Sequence, residues 1–195
     1  MADYEIEKSL LSRHYKNICG VDEVGRGALF GPVVSGAVIL NPDQLHQDIR
    51  DSKKLTPKKR LEMACFIYSH ARAYSIGWCW NDEIDEINIL EATKKSMKKA
   101  VCGLKISPDY VLIDGMKPDF LDVAGDAIVK GDDSCMSIAA ASIIAKVCRD
   151  QLLISFARYF PQYDLSRNKG YPTGDHKKAI RKFGRSQFHR VSYKV

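Results

Sequence analysis

The sequence predicts an α/β protein. Short apolar, β-branched or aromatic runs recur near 18–21, 32–40, 74–80, 110–114 and 127–130, and most of the stretches between them carry apolar residues at helical spacing. A composition of 45% hydrophobic and 28% charged residues over 195 positions suits a folded globule with a proper core.

The elements follow in order. Ile18, Cys19 and Val21 form a strand that delivers Asp22 and Glu23 into a loop with glycines at 25, 27 and 31. Pro32 to Leu40 reads as a second strand, and Asn41 to Thr56 as a polar connection ending in Asp51-Ser52-Lys53-Lys54. A helix starts at Pro57, a good first helical residue, and reaches about Arg72 on the stripe Leu61, Ala64, Cys65, Tyr68. Tyr74 to Trp80 is a strand. Asp82 to about Leu104 forms one or two helices, with Ile84, Ile87, Leu90, Met97 and Val101 inside and Lys94, Lys95, Lys98 and Lys99 as a solvated outer face. Strands at Tyr110–Asp114 and Ala127–Lys130 follow, then a helix from Ser134 to about Tyr159 whose small residues Ala139 to Ser142 let it lie close to a sheet. Residues 162–175 read as a loop, and a short helix runs from Asp175 or His176 to Phe183. With no repeat, low-complexity tract or linker, residues 1–195 are expected to form one domain, although this element order does not itself fix a topology.

The chemistry concentrates at strand ends. Adjacent side chains on a strand point to opposite faces, so Asp22 and Glu23 converge on one ion only near a strand end or bulge. The glycines beyond supply that freedom and let backbone N–H groups approach a ligand. Tyr110-Val-Leu-Ile-Asp114-Gly115 and Ala127-Ile-Val-Lys130-Gly131-Asp132 repeat the pattern of a strand finishing in a carboxylate. Ligands gather at strand ends in open α/β sheets, so Asp22, Glu23, Asp114 and Asp132 suggest one acidic cluster. Four hard oxygen donors without a His or Cys set favour Mg²⁺ or Mn²⁺ over zinc. Taken singly, each aspartate is an ordinary turn or cap residue.

The run GVDEVGRGALFGPVVSGAVIL, together with DSKKLT at 51–56, LIDG at 112–115, KGD followed by SIAAASIIAKVCRD, and NKGYPTGDH at 168–176, resembles the ordered motifs of the ribonuclease HII family over about residues 18–193. The resemblance implies a ribonuclease H-like fold, with a mixed five-stranded sheet flanked by helices and a helical C-terminal part at about 160–195. It implies an endonuclease that hydrolyses the RNA strand of RNA:DNA hybrids and cuts on the 5′ side of ribonucleotides in duplex DNA, leaving 3′-hydroxyl ends and starting ribonucleotide removal. Two Mg²⁺ or Mn²⁺ ions would be held by Asp22 as the bridging ligand with Glu23, Asp114 and Asp132, Asp133 being the neighbouring candidate for the last place. Gly25, Arg26 and Gly27 would read the 2′ hydroxyl through backbone groups, Tyr171 would stack at the ribonucleotide junction, and Ser52 and Lys53, with Lys54, would hold a phosphate. Ala28 and Phe30 depart from the family pattern, with an expected effect on loop packing only. The related ribonuclease HIII family is disfavoured by Arg26, where that family carries a threonine-like residue.

Charge supports a nucleic-acid partner. The formal net charge is +6, and residues 166–195 hold nine Lys or Arg against the single acid Asp175. Basic residues among Tyr171, Phe183, Phe188 and Tyr193 suit a polyanion surface or a solvated helix face and tail, and the acidic cluster alongside them favours the first. The five histidines are scattered and are not assigned to catalysis. Six cysteines without CxxC spacing read as free thiols, no signal pattern or membrane-length apolar stretch is present, and a cytoplasmic monomer is expected.

Overall fold

The structure is a computed structural model and describes residues 2–195. Its centre is a mixed five-stranded sheet of order β3-β2-β1-β4-β5. Strand β1 (Ile18–Val24) pairs antiparallel with β2 (Val33–Ile39), and β2 antiparallel with β3 (Ala73–Cys79). On its other side β1 runs parallel to β4 (Tyr110–Asp114), and β4 parallel to β5 (Gly125–Ile128).

Helices cover both faces. In chain order they are α1 (Glu5–Ser12), α2 (Pro57–His70), α3 (Asn81–Cys102), α4 (Gly131–Ser134), α5 (Met136–Phe156), α6 (Leu165–Asn168) and α7 (Gly174–Phe183). Strand alternation assigns the faces. Cys19, Val21, Val111 and Ile113 pack against Met97, Ala100 and Val101 of α3, whereas Ile18, Tyr110 and Leu112 pack against Ile138 of α5. Asp22 and Asp114 follow the second parity, so both belong to the α5 face. That face is tightly closed: a Cβ on Gly20 would stand 2.1 Å from the Ser137 carbonyl carbon.

Local chemistry explains most boundaries. Pro57 opens α2 with Thr56 as its cap, the Thr56 hydroxyl accepting from Lys59 N at 3.3 Å. Helix α3 is kinked at Asn88 (φ 66), whose side-chain oxygen accepts from the amides of Leu90 and Glu91 and restarts the helix.

Four expectations need correction. Helix α1 has no counterpart in the sequence reading; its Ile6 and Leu10 find an apolar surface only once α5 and β4 are in place. Strand β5 begins at Gly125, two residues before the expected start. The helix expected from Ser134 to Tyr159 is broken at Cys135, which is extended (φ −120, ψ 124), and ends at Phe156. Glu7 of α1 caps the second piece, accepting from Ser137 N at 2.7 Å in place of a local cap residue. The segment 162–175 contains α6 rather than loop alone. All six cysteines are free. No helix among the described residues is long and apolar enough to cross a membrane.

Candidate active site

The sheet brings three carboxylates together. Asp22 lies in β1 and Asp114 ends the adjacent parallel strand, one step past the pair Val21 and Ile113. The Gly131 amide donates to Asp114 Oδ1 at 2.7 Å, which pins the start of α4 and sets Asp132 beside the strand end. One oxygen from each of Asp22, Asp114 and Asp132 lies within 4.8 Å of the others. Asp22 and Asp132 are buried, Asp114 half-buried.

Glu23 stands outside that triad because strand alternation turns it away from Asp22. Its backbone amide donates to Asp22 Oδ1 at 2.8 Å, while its carboxylate meets Arg26 at 3.5 Å. It remains within electrostatic reach. Burial, then the Glu23 charge, pushes the Asp22 carboxyl well above the usual range, and a hydrogen bond from the Ser142 hydroxyl opposes the shift. Burial also raises Glu23, with Arg26 opposing, and raises Asp114, with the Gly131 amide opposing. Crowded, partly desolvated carboxylates of this kind are unfavourable without a cation. The cation in contact is Lys53, whose Nζ lies 2.9 Å from Asp132. An all-oxygen set buried against mutual repulsion fits a hard divalent cation.

Several individual expectations change. Asp133 is partly exposed and paired with Lys54, so geometry selects Asp132 over its neighbour. Ser52 is 3% exposed, and its hydroxyl lies 3.0 Å from that of Ser142. The Ser52 side chain is thus held in the interior beside Ser142, whose hydroxyl faces Asp22. Lys53 and Lys54 are each ion-paired, with Asp132 and Asp133, and both side chains stay exposed, that of Lys53 the more so. A Cβ on Gly25 would sit 2.3 Å from Arg149 Nε, and its φ is +97°. Glycine is therefore demanded there by the protein's own interior. Gly27 faces open space, consistent with an approaching ligand.

Phe30 does more than adjust loop packing. It is fully buried and meets Phe156, Phe160, Tyr163, Phe188 and His189, which joins the glycine loop to the C-terminal part. The half-buried Tyr171 ring lies 5.3 Å from the Arg149 guanidinium and 5.6 Å from Lys146 Nζ. Arg149 itself is buried, donating to the carbonyls of Phe30, Pro32 and Lys169. The basic C-terminal block is not uniformly exposed: Arg190 is internal, and Arg185 is bound to the carbonyls of Val191 and Tyr193, leaving Arg181 and Lys182 outward on α7. His176 is buried against His189. The α3 lysines form ion pairs with Glu83 and Glu91, as suits a solvated face.

Ser142, Arg149 and Arg190 were not singled out as site residues in the sequence. Ser142 stands four residues after Ile138, on the sheet-facing side of α5, but its residue type reads equally as close packing. The two arginines carry no local signal, since the carbonyls that satisfy them lie in other segments of the chain.

Fold and site together define a nuclease of the ribonuclease H class. The ribonuclease H2 of Pyrococcus horikoshii OT3 is similar with a TM-score of 0.76 and 25% identity, over 92% of this chain and 94% of that one. The family profile described as Ribonuclease HII matches residues 19–195, and the chain belongs to the ribonuclease HII family. The ribonuclease HII of Acetivibrio thermocellus is 49% identical over 187 residues, 96% of this chain and 73% of that protein. That of Caldicellulosiruptor bescii is 45% identical over 190 residues, 97% of this chain and 92% of that protein. The chain is thus an enzyme, a hydrolytic endonuclease of the ribonuclease H kind.

Proposed function

We propose that the chain hydrolyses the RNA strand of RNA:DNA hybrids and cuts duplex DNA on the 5′ side of embedded ribonucleotides, leaving 3′-hydroxyl and 5′-phosphate ends and so initiating ribonucleotide removal in the cytoplasm. The observation that carries this reading is the convergence of Asp22, Asp114 and Asp132 within 4.8 Å, next to the Gly25-Arg26-Gly27 loop. Asp22, Asp114 and Asp132, with Glu23 alongside, would hold two Mg²⁺ or Mn²⁺ ions, which supply Lewis acidity for attack of water on the phosphodiester and for the charge on the leaving 3′ oxygen.

The chain's own residues do the rest. Backbone groups of Gly25, Arg26 and Gly27 contact the 2′ hydroxyl, the feature that separates RNA from DNA. Tyr171 stacks at the junction with the following deoxyribonucleotide. Lys53 meets a phosphate, and Arg181 and Lys182 on α7 dock the duplex backbone. Residues 1–195 act as a single catalytic domain and monomer, with about 160–195 as the substrate-binding part.

The test is a DNA duplex carrying one ribonucleotide and an all-RNA:DNA hybrid, each incubated with Mg²⁺, Mn²⁺ or a chelator. Cleavage of both, at the 5′ side of the ribonucleotide and abolished by chelation, is expected. Cleavage of neither, or cleavage that survives chelation, overturns the reading.

A further inference from the structure

The carbonyls of the glycine loop are held from inside the protein. Arg190 Nη2 donates to Gly25 O and Nη1 to Arg26 O, both at 2.7 Å, and the Tyr193 hydroxyl donates to Arg26 O at 2.6 Å. A trans peptide points its C=O and N–H in opposite directions. Anchoring these two carbonyls therefore turns the N–H groups of Arg26 and Gly27 the other way. Neither amide has an acceptor among the described residues, and the space beside Gly27 is open. Arg190 is 1% exposed, and its remaining bonds go to Gly31 O and the Tyr193 hydroxyl. A guanidinium buried this deeply and bonded wholly to one loop and its latch is costly unless each N–H is satisfied, so it holds the loop in one conformation.

The preceding residue reaches the loop that carries Tyr171. His189 Nδ1 accepts from Ser186 N at 2.9 Å, so its Nε2 carries the proton and donates to His176 Nε2 at 3.2 Å. His176 Nδ1 in turn donates to the carbonyl of Tyr171 at 2.9 Å. The two loops also meet directly, Leu29 N donating to Gly170 O at 2.7 Å.

We propose that Arg190 is a positioning residue: with Tyr193 it clasps the glycine loop that reads the ribonucleotide and aims the Arg26 and Gly27 amides outward, next to the loop that carries Tyr171. The proposal rests on the reading that the glycine loop meets the ribonucleotide.

Two variants test it. Arg190→Lys keeps the charge but loses the fork, and Tyr193→Phe, an isosteric change, removes only the hydroxyl on Arg26 O should the first fail to fold. Each is measured for amide exchange at Leu29 and Gly31 without nucleic acid, for cleavage of the single-ribonucleotide duplex, and for binding of an all-DNA duplex. Exchange is expected to quicken in both, with kcat/KM falling about tenfold for Arg190→Lys and about threefold for Tyr193→Phe, while all-DNA binding holds. Unchanged exchange overturns the clasp even if cleavage falls, and leaves the substrate reading intact. Quickened exchange with unchanged cleavage overturns the positioning role and also the reading that the glycine loop meets the substrate. Equal losses of cleavage and all-DNA binding overturn the proposal in favour of a general structural role.

Discussion

The ammonium of Lys53 reaches the carboxylate of Asp132 at 2.9 Å, a contact made across 79 positions of sequence. It joins the turn at Ser52–Lys54 to the acidic cluster, yet the lysine side chain itself is 76% exposed. The pair is open on the lysine side only, Asp132 being 9% exposed, so Lys53→Ala should lower thermal stability modestly by leaving a buried carboxylate without its cation. Its effect should appear in KM for the duplex, with one fewer counterion released per binding event. A large loss of stability with KM unaffected would make Lys53 a structural partner of Asp132 only.

Asp22→Asn removes a carboxylate that is buried beside Glu23 and opposite Asp114. Cleavage should be lost, while the metal-free protein becomes more stable by several degrees, because a desolvated charge among like charges has been neutralised. Added Mg²⁺ should stabilise the wild type more than the variant, as read by thermal unfolding. Asp132→Asn should match it in activity and Asp133→Asn should not; the reverse order would move the fourth carboxylate by one residue.

Tyr171→Ala should impair cutting at a single ribonucleotide more than cutting of a long hybrid, where several 2′-hydroxyl registers are available. A lost stacking contact of roughly 1–3 kcal/mol corresponds to about a 5- to 150-fold defect. Equal losses on both substrates would assign Tyr171 to general docking, and no loss on either would leave it a turn aromatic braced by Arg149.

Arg181 and Lys182 project from α7 without internal partners, unlike Arg190 in the same basic block. Replacing both with alanine should weaken binding to any duplex and reduce the slope of log K against log salt by about 2. An unchanged slope would show that they merely solvate the helix.

The pair His176 and His189 gives the fold an acid limit. Burial, then the neighbouring charges of His176 and Arg185, depresses the His189 imidazole from 6.5 to about 4. The unfolded chain therefore binds a proton that the folded chain refuses between those values. This contribution to stability is complete above pH 6.5 and is lost as pH falls toward 4. Thermal unfolding of His189→Gln should show a shallower decline than the wild type across that window; parallel curves would remove His189 as the titrating group.

The convergence of Asp22, Asp114 and Asp132 was legible in the sequence because each stands in or just beyond a strand-like run, and such runs are local facts of residue order. The α/β class was legible for the same reason, from apolar periodicity. Sequence also marked Tyr171 and the glycine loop through their motifs. Tertiary structure alone decided that Glu23 falls beside the triad, since that depends on which sheet face meets α5. It alone turned Arg149 and Arg190 inward, because a guanidinium is satisfied in the interior only where carbonyls converge, and these come from segments 117 and 165 residues away. It likewise buried Ser52 beside Ser142 and made α1 a cap for α5, since neither finds its partner within its own segment. Periodicity reports what a residue's neighbours in sequence impose; hydrogen-bond satisfaction in a core depends on neighbours in space, which one chain in one dimension does not display.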